Sequence, residues 1–245
     1  MATPKKERQF IKANSAEEIS QHVPKNKEQR RENALPDRII AIVFWLLGIG
    51  CEVVAILLLN KTIWPGDTPI FGIHPQIFWM IVALVLDMIF VIIGSQFWKR
   101  GNDKDPASKE NAVRFFLQNQ MGLIVACLAF FPIIIVLLQN KDLDSKTKKV
   151  VTAVAAVALM ITGLASVDWE APSQEELEQA IVEYGNETVY WTQFGKKYHL
   201  DANCQAIINS NTIFHGTIDE SYEAGRTSPC KFCVQHAEAE ANTNN

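Results

Sequence analysis

A chain of 245 residues has room for one or two domains, and a formal net charge of -4 with a sequence pI near 5.8 excludes a generally basic, nucleic-acid-coating protein. The charge is partitioned: it gathers in residues 1–38, 99–119, 140–149 and beyond 167, and the stretches between are almost uncharged and rich in Ile, Leu, Val, Phe and Ala. That pattern belongs to an α-helical polytopic membrane protein rather than a water-soluble globule.

Residues 1–37 mix Lys, Arg, Glu, Gln and Asn with few apolar anchors, and read as a polar, solvated cytoplasmic tail with a short helix over Ala16–His22. No apolar run precedes Ile39, so there is no sign of a cleavable signal peptide and the first membrane helix itself directs insertion. Four apolar segments follow, Ile39–Leu59, Ile77–Phe97, Met121–Leu138 and Val150–Ser166. At about 1.5 Å per residue the first two are long enough to cross a ~30 Å hydrocarbon core. The loop NKTIWPGDTPIFGIHPQ between them, with three prolines, two glycines and Trp64, reads as structured and interfacial. Pro132 should kink the third segment. The fourth is shorter and Ala-rich, suited to close packing against its neighbours.

Lys and Arg in short flanks resist translocation, which gives an orientation. The N-terminal flank and the loop after the second segment hold fourteen, and the loops after the first and third hold five, Lys61, Lys141, Lys146, Lys148 and Lys149. The N-terminus is therefore expected in the cytoplasm, and four spans return the C-terminus to the same side. Residues 168–188 read as a juxtamembrane linker: a break at Asp168–Pro172, then a helix with Ser173 and Glu176 at capping-box spacing and Gly185 as its stop.

Residues 189–236 read as a small α+β module, followed by a disordered tail over 237–245. The alternation in VYWTQ and the Gly195 turn into KKYH suggest a β-hairpin. Thr217 and Glu220 form a second capping-box pair, so that Ile218–Ala224 should be a short helix ended by Gly225. The core of such a module is too small to be comfortable alone. Of the five cysteines, Cys51 and Cys127 lie in apolar segments and behave as small hydrophobes, which leaves the odd set Cys204, Cys230 and Cys233. A structural zinc ion takes four tetrahedral Cys and His ligands, often one pair from a Cys-x-x-Cys knuckle. Cys230 and Cys233 supply the knuckle, and His199 and Cys204, four residues between them, supply a second pair. A redox dithiol, a Cys230–Cys233 disulfide, and His215 or His236 as fourth ligand are the alternatives.

The pattern TxxGxxYHxxxxC, an aromatic before a Thr-capped helix containing EAG, and then PCKxC resembles the small zinc-binding domain of Ada-type DNA-repair proteins. It is closer still to His-Cys-Cys-Cys modules of that superfamily appended to bacterial membrane and secreted proteins. The likeness covers residues 189–234 and implies zinc held by His199, Cys204, Cys230 and Cys233, in a multi-pass protein of a bacterial cytoplasmic membrane. Ada-type domains use a cysteine at the first ligand position as a sacrificial methyl acceptor; His199 stands there in this chain, and an imidazole cannot perform that thiolate transfer. From Val189 to the C-terminus four Lys and Arg face six carboxylates, a poor nucleic-acid footprint. Repair chemistry and membrane-tethered DNA binding are accordingly disfavoured.

Glu52 and Asp87 are carboxylates at membrane depth, where such groups face protein or water. In a hairpin of the first two segments both fall roughly 12–15 Å below the outer helix ends, with no Lys, Arg or His inside any span to pair with them. Two function classes result. One is a membrane protein whose structural-zinc module serves interaction or assembly with a protein partner or a further copy of itself, without enzymatic activity. The other is an oligomeric channel or transporter-like pore in which Glu52 and Asp87 form an ion or proton site and the zinc module acts as gate or sensor.

Overall fold

The protein is described by a computed structural model over residues 8–13, 24–141 and 143–243. The short helix expected over 16–22 lies outside these residues. The chain runs β1 (Gln9–Lys12), α1 (Lys27–Leu59), α2 (Pro75–Lys104), α3 (Ala112–Asn119), α4 (Met121–Gln139), α5 (Ser145–Ser166), α6 (Gln174–Tyr184), β2 (Val189–Trp191), β3 (Thr212–Gly216), α7 (Ile218–Glu223) and α8 (Lys231–Thr243). These elements divide into two compact units, one built from residues 35–101 and 113–170, the other from residues 1–34, 102–112 and 171–245.

In the first unit, α1, α2, α4 and α5 are each long and apolar enough to cross a membrane. They bury one continuous core of Trp45, Ala55, Met80, Leu84, Val91, Phe130, Ile133 and Val151, among others. The alanines of the fourth segment serve close approach, since Ala155 and Ala158 of α5 are buried together with Ala126 and Ala129 of α4. The outward faces are apolar too: Leu46, Val53, Leu128, Ile135, Met160 and Leu164 are all exposed. A bundle that is apolar inside and outside is suited to lipid and poorly suited to water.

The loop between α1 and α2 is ordered by its own backbone. Ile70 and Ile73 exchange two 2.9 Å hydrogen bonds across a tight turn, with Phe71 and Gly72 at φ 50° and 76°. Gln76 Nε2 donates to the Leu58 carbonyl at 2.6 Å and so satisfies one of the open acceptors at the end of α1.

The second unit is a three-stranded sheet in the order β1-β3-β2, with β1 parallel and β2 antiparallel to β3. Its core gathers Leu177 and Ala180 of α6, Val189 and Trp191 of β2, Tyr198, and Ile218 and Tyr222 of α7. Both expected capping boxes are present, Ser173 with Glu176 and Thr217 with Glu220. Gly225 follows α7 at φ 74°, the left-handed conformation that ends a helix.

Several expectations need correction. Residues 1–37 are not wholly a solvated tail: Gln9–Lys12 pair with β3, and α1 begins at Lys27, well before Ile39. Asn26 caps that start, its Oδ1 accepting from Gln29 N at 2.9 Å and its own N–H donating to Gln29 Oε1 at 3.0 Å. The polar stretch between the second and third apolar segments contains α3, whose Val113, Phe116 and Leu117 are exposed. The tail expected to be disordered from residue 237 continues α8 to Thr243. The hairpin of β2 with KKYH is reduced to one antiparallel bridge, Tyr190 with His199, because β3 takes the long pairing with β2.

Candidate metal centre

His199 is fixed from both sides by backbone pairing. Tyr190 and His199 exchange hydrogen bonds of 2.8 and 2.7 Å, and the preceding residue, Tyr198, donates to the Ser228 carbonyl and accepts from Cys230 N. The ligand-bearing strand segment is thus stitched to β2 on one side and to the cysteine knuckle on the other. Cys204 arrives through a compact turn in which Asn203 N donates to Asp201 Oδ1 at 2.8 Å and Cys204 N to the Asp201 carbonyl at 3.1 Å. Cys230 directly precedes α8, its carbonyl accepting from Val234 N, and Cys233 lies in the first turn of that helix. The positive end of a helix dipole favours thiolate there.

The four side chains converge. Cys204 Sγ and Cys230 Sγ are 3.9 Å apart, as are Cys233 Sγ and His199 Nδ1, and all four ligand atoms lie within 4.8 Å of one another. With metal–sulfur bonds of about 2.3 Å, a tetrahedron has edges of about 3.8 Å, so the cluster has the size of a tetrahedral site. All four residues are buried, and Cys204, Cys230 and Cys233 share a small core with Ile207 and Ile213. The buried group can therefore hold a metal ion. All five cysteines are free thiols, with no disulfide between Cys230 and Cys233. Neither His215 nor His236 belongs to the cluster. His215 lies on β3 against the Tyr190 ring, and His236 is in the second turn of α8, lining a groove beside the site.

Burial pushes the Cys204 thiol up to about 12 and holds the His199 imidazole below its ordinary value. A neutral imidazole is the form that coordinates a metal. A buried thiolate at Cys204 needs a cation beside it, and a coordinated metal supplies that charge.

The other sequence-derived candidates, Glu52 and Asp87, are buried inside the four-helix unit. Glu52 Oε1 accepts from Ile133 N at 3.3 Å, at the residue after Pro132 in α4. Pro132 has no N–H to give to the α4 ladder, and the Glu52 carboxyl approaches the next backbone donor along that helix. Asp87 is fully buried, and neither of its oxygens has a hydrogen-bond partner among the described residues. Its Oδ1 lies over Gly48, one turn before Glu52 on α1, where a Cβ would come within 2.8 Å.

Sequence reasoning passed over the groups that support the metal turn. Arg8 donates to the Ala202 carbonyl and, at 3.1 Å, to Asn203 Oδ1. No local spacing signals a contact made across nearly the whole chain.

No family model, no curated protein and no solved structure matches this chain.

Proposed function

We propose that this is an integral membrane protein with four spanning helices, carrying a structural zinc module that serves protein interaction or assembly. The observation that carries the reading is the buried His199, Cys204, Cys230 and Cys233 cluster at tetrahedral spacing. Four protein ligands close the coordination sphere, so no position is left for an activated water, and the module stabilises rather than catalyses. Zinc is favoured over other metals by three soft thiolates and one imidazole. The resemblance to His-Cys-Cys-Cys modules supports the same assignment, and with it a bacterial cytoplasmic membrane. The excess of Lys and Arg in the N-terminal flank and the second loop favours the cytoplasmic side for both termini.

Elemental analysis of the purified full-length chain tests the metal. About one zinc per chain is expected, with loss of that zinc in a His199→Ala, Cys204→Ser double variant. A metal-free wild type, or zinc retained by the double variant, overturns the assignment.

A second reading, an oligomeric pore using Glu52 and Asp87, is favoured by one observation: Asp87 is a fully buried carboxyl with no hydrogen-bond partner among the described residues. Such groups inside membrane segments commonly mark ion or proton paths. Glu52→Gln with Asp87→Asn should abolish ion or proton flux in reconstituted vesicles if this reading holds, and unchanged flux removes it.

A further inference from the structure

Residues 8–13 meet the metal module at two places. Four residues of β1 run in register along β3, from Gln9 opposite Thr212 to Lys12 opposite His215. The ladder is extended at both ends, by Gln9 N to the Asn211 carbonyl at 2.8 Å and Ala13 N to the His215 carbonyl at 2.9 Å. Phe10 lies opposite Ile213, which is buried in the same small core as Cys204, Cys230 and Cys233. At the start of the strand, Arg8 grips the turn that delivers Cys204, through the Ala202 carbonyl and Asn203 Oδ1.

The hold on this strand is slight. It is an outer strand of four residues with every side chain exposed, Phe10 at 49% and Ile11 at 42%. Its side chains gain little from burial, and the ladder and the Arg8 clasp are the contacts that tie it to the metal module. Short, exposed elements of this kind open at low free energy. The clasp in turn requires the Asp201–Cys204 turn to keep the conformation that presents both acceptors to one guanidinium. A metal bound through Cys204 imposes order on that same turn.

We propose that docking of the N-terminal strand is linked to metal occupancy: Arg8 is a positioning residue of the metal centre, and loss of the metal releases residues 8–13. The inference rests on the zinc reading above. Whichever partner orders the turn first removes part of the ordering cost for the other, and the coupling is reciprocal by thermodynamic necessity. The N-terminal segment thereby becomes a reporter of the metal state.

The test uses the full-length protein in detergent micelles. Zinc content of the wild type is measured first, since an absence of zinc overturns the metal reading itself. Amide hydrogen exchange is then followed with zinc bound and after chelation. Exchange over residues 9–13 should quicken about tenfold or more on chelation, and the amides of α6 should keep their protection. Zinc competition against a chromogenic chelator should show Arg8→Gln weakening affinity by roughly tenfold, the lower edge of what outer-shell substitutions cost. Ala13→Pro removes the Ala13 donor far from the ligand turn and should weaken zinc in the same direction. The linkage is overturned if zinc binds the wild type but exchange over 9–13 is the same with and without it. It is also overturned if neither variant changes zinc affinity, or if chelation unprotects α6 together with β1.

Discussion

Gly48 carries no side chain because Asp87 occupies the space one would take: a Cβ there would meet Asp87 Oδ1 at 2.8 Å and Val91 Cγ2 at 3.0 Å. Gly94 is confined in the same way by the Trp45 ring, at 2.6 Å. Gly50, on the same helix as Gly48, has nothing within 4 Å. Gly48→Ala should therefore destabilise the bundle by about 1–3 kcal/mol through overpacking. Gly50→Ala should be neutral or slightly stabilising, because Ala is the better helix former. Thermal unfolding of the two variants in one detergent checks the contrast, and equal effects would refute the packing account. Glu52 is buried beside Pro132 with one polar contact for its carboxyl, the Ile133 N–H at 3.3 Å.

The α6 helix shows what a short motif supplies to an element. Ser173 Oγ accepts from Glu176 N at 3.2 Å, and Glu176 Oε2 accepts from Ser173 N at 3.0 Å. Ser173→Ala should cost about 1 kcal/mol of stability, read by denaturant unfolding of the full chain. Next to this cap, Glu175 accepts from the Ser108 hydroxyl and from Lys109 N, which hold its carboxyl down to about 2. A carboxyl lowered on folding contributes its stability above its ordinary range near 4.5, and the contribution fades as pH falls from there toward 2. Glu175→Gln should flatten the stability profile in that window and leave it alone near neutrality; an unchanged acid limb would contradict the contact. Capping boxes at Ser173 and Thr217 were legible because both bonding partners lie three residues apart. Asn26 and Gln29 have the same spacing, yet Pro36 and the surrounding charges masked the helix they begin. The metal cluster was legible from two short spacings, whereas QFIK as a strand was not: four exposed residues have no periodicity to read, and their pairing partner is remote.

At the scale of the molecule, three separated stretches fold into one unit. Ala107 pairs with Ser173, Lys109 Nζ reaches Glu176 at 2.6 Å, and Asn33 Nδ2 donates to Glu223 Oε1 at 3.0 Å. The N-terminal segment, the loop after α2 and the C-terminal module can share a unit only if they share a side of the membrane. With four spans, labels at the two termini should react together from one face of sealed, oriented vesicles. Labelling of the termini from opposite faces would refute the four-span reading. The positive-residue count points to the same arrangement, although Lys141, Lys146, Lys148 and Lys149 lie on the other side of it.

The parallel pairing of Gln9 with Thr212 also sets a timetable for biogenesis. About two hundred residues must be made after the first strand before its partner exists, roughly 10–40 s at ordinary elongation rates. Throughout that interval the nascent N-terminus has an unpaired, apolar-bearing strand and no sheet to receive it. Residues 212–216 must be made before residues 9–12 can pair, so a chain terminated short of β3 leaves its first strand without a partner.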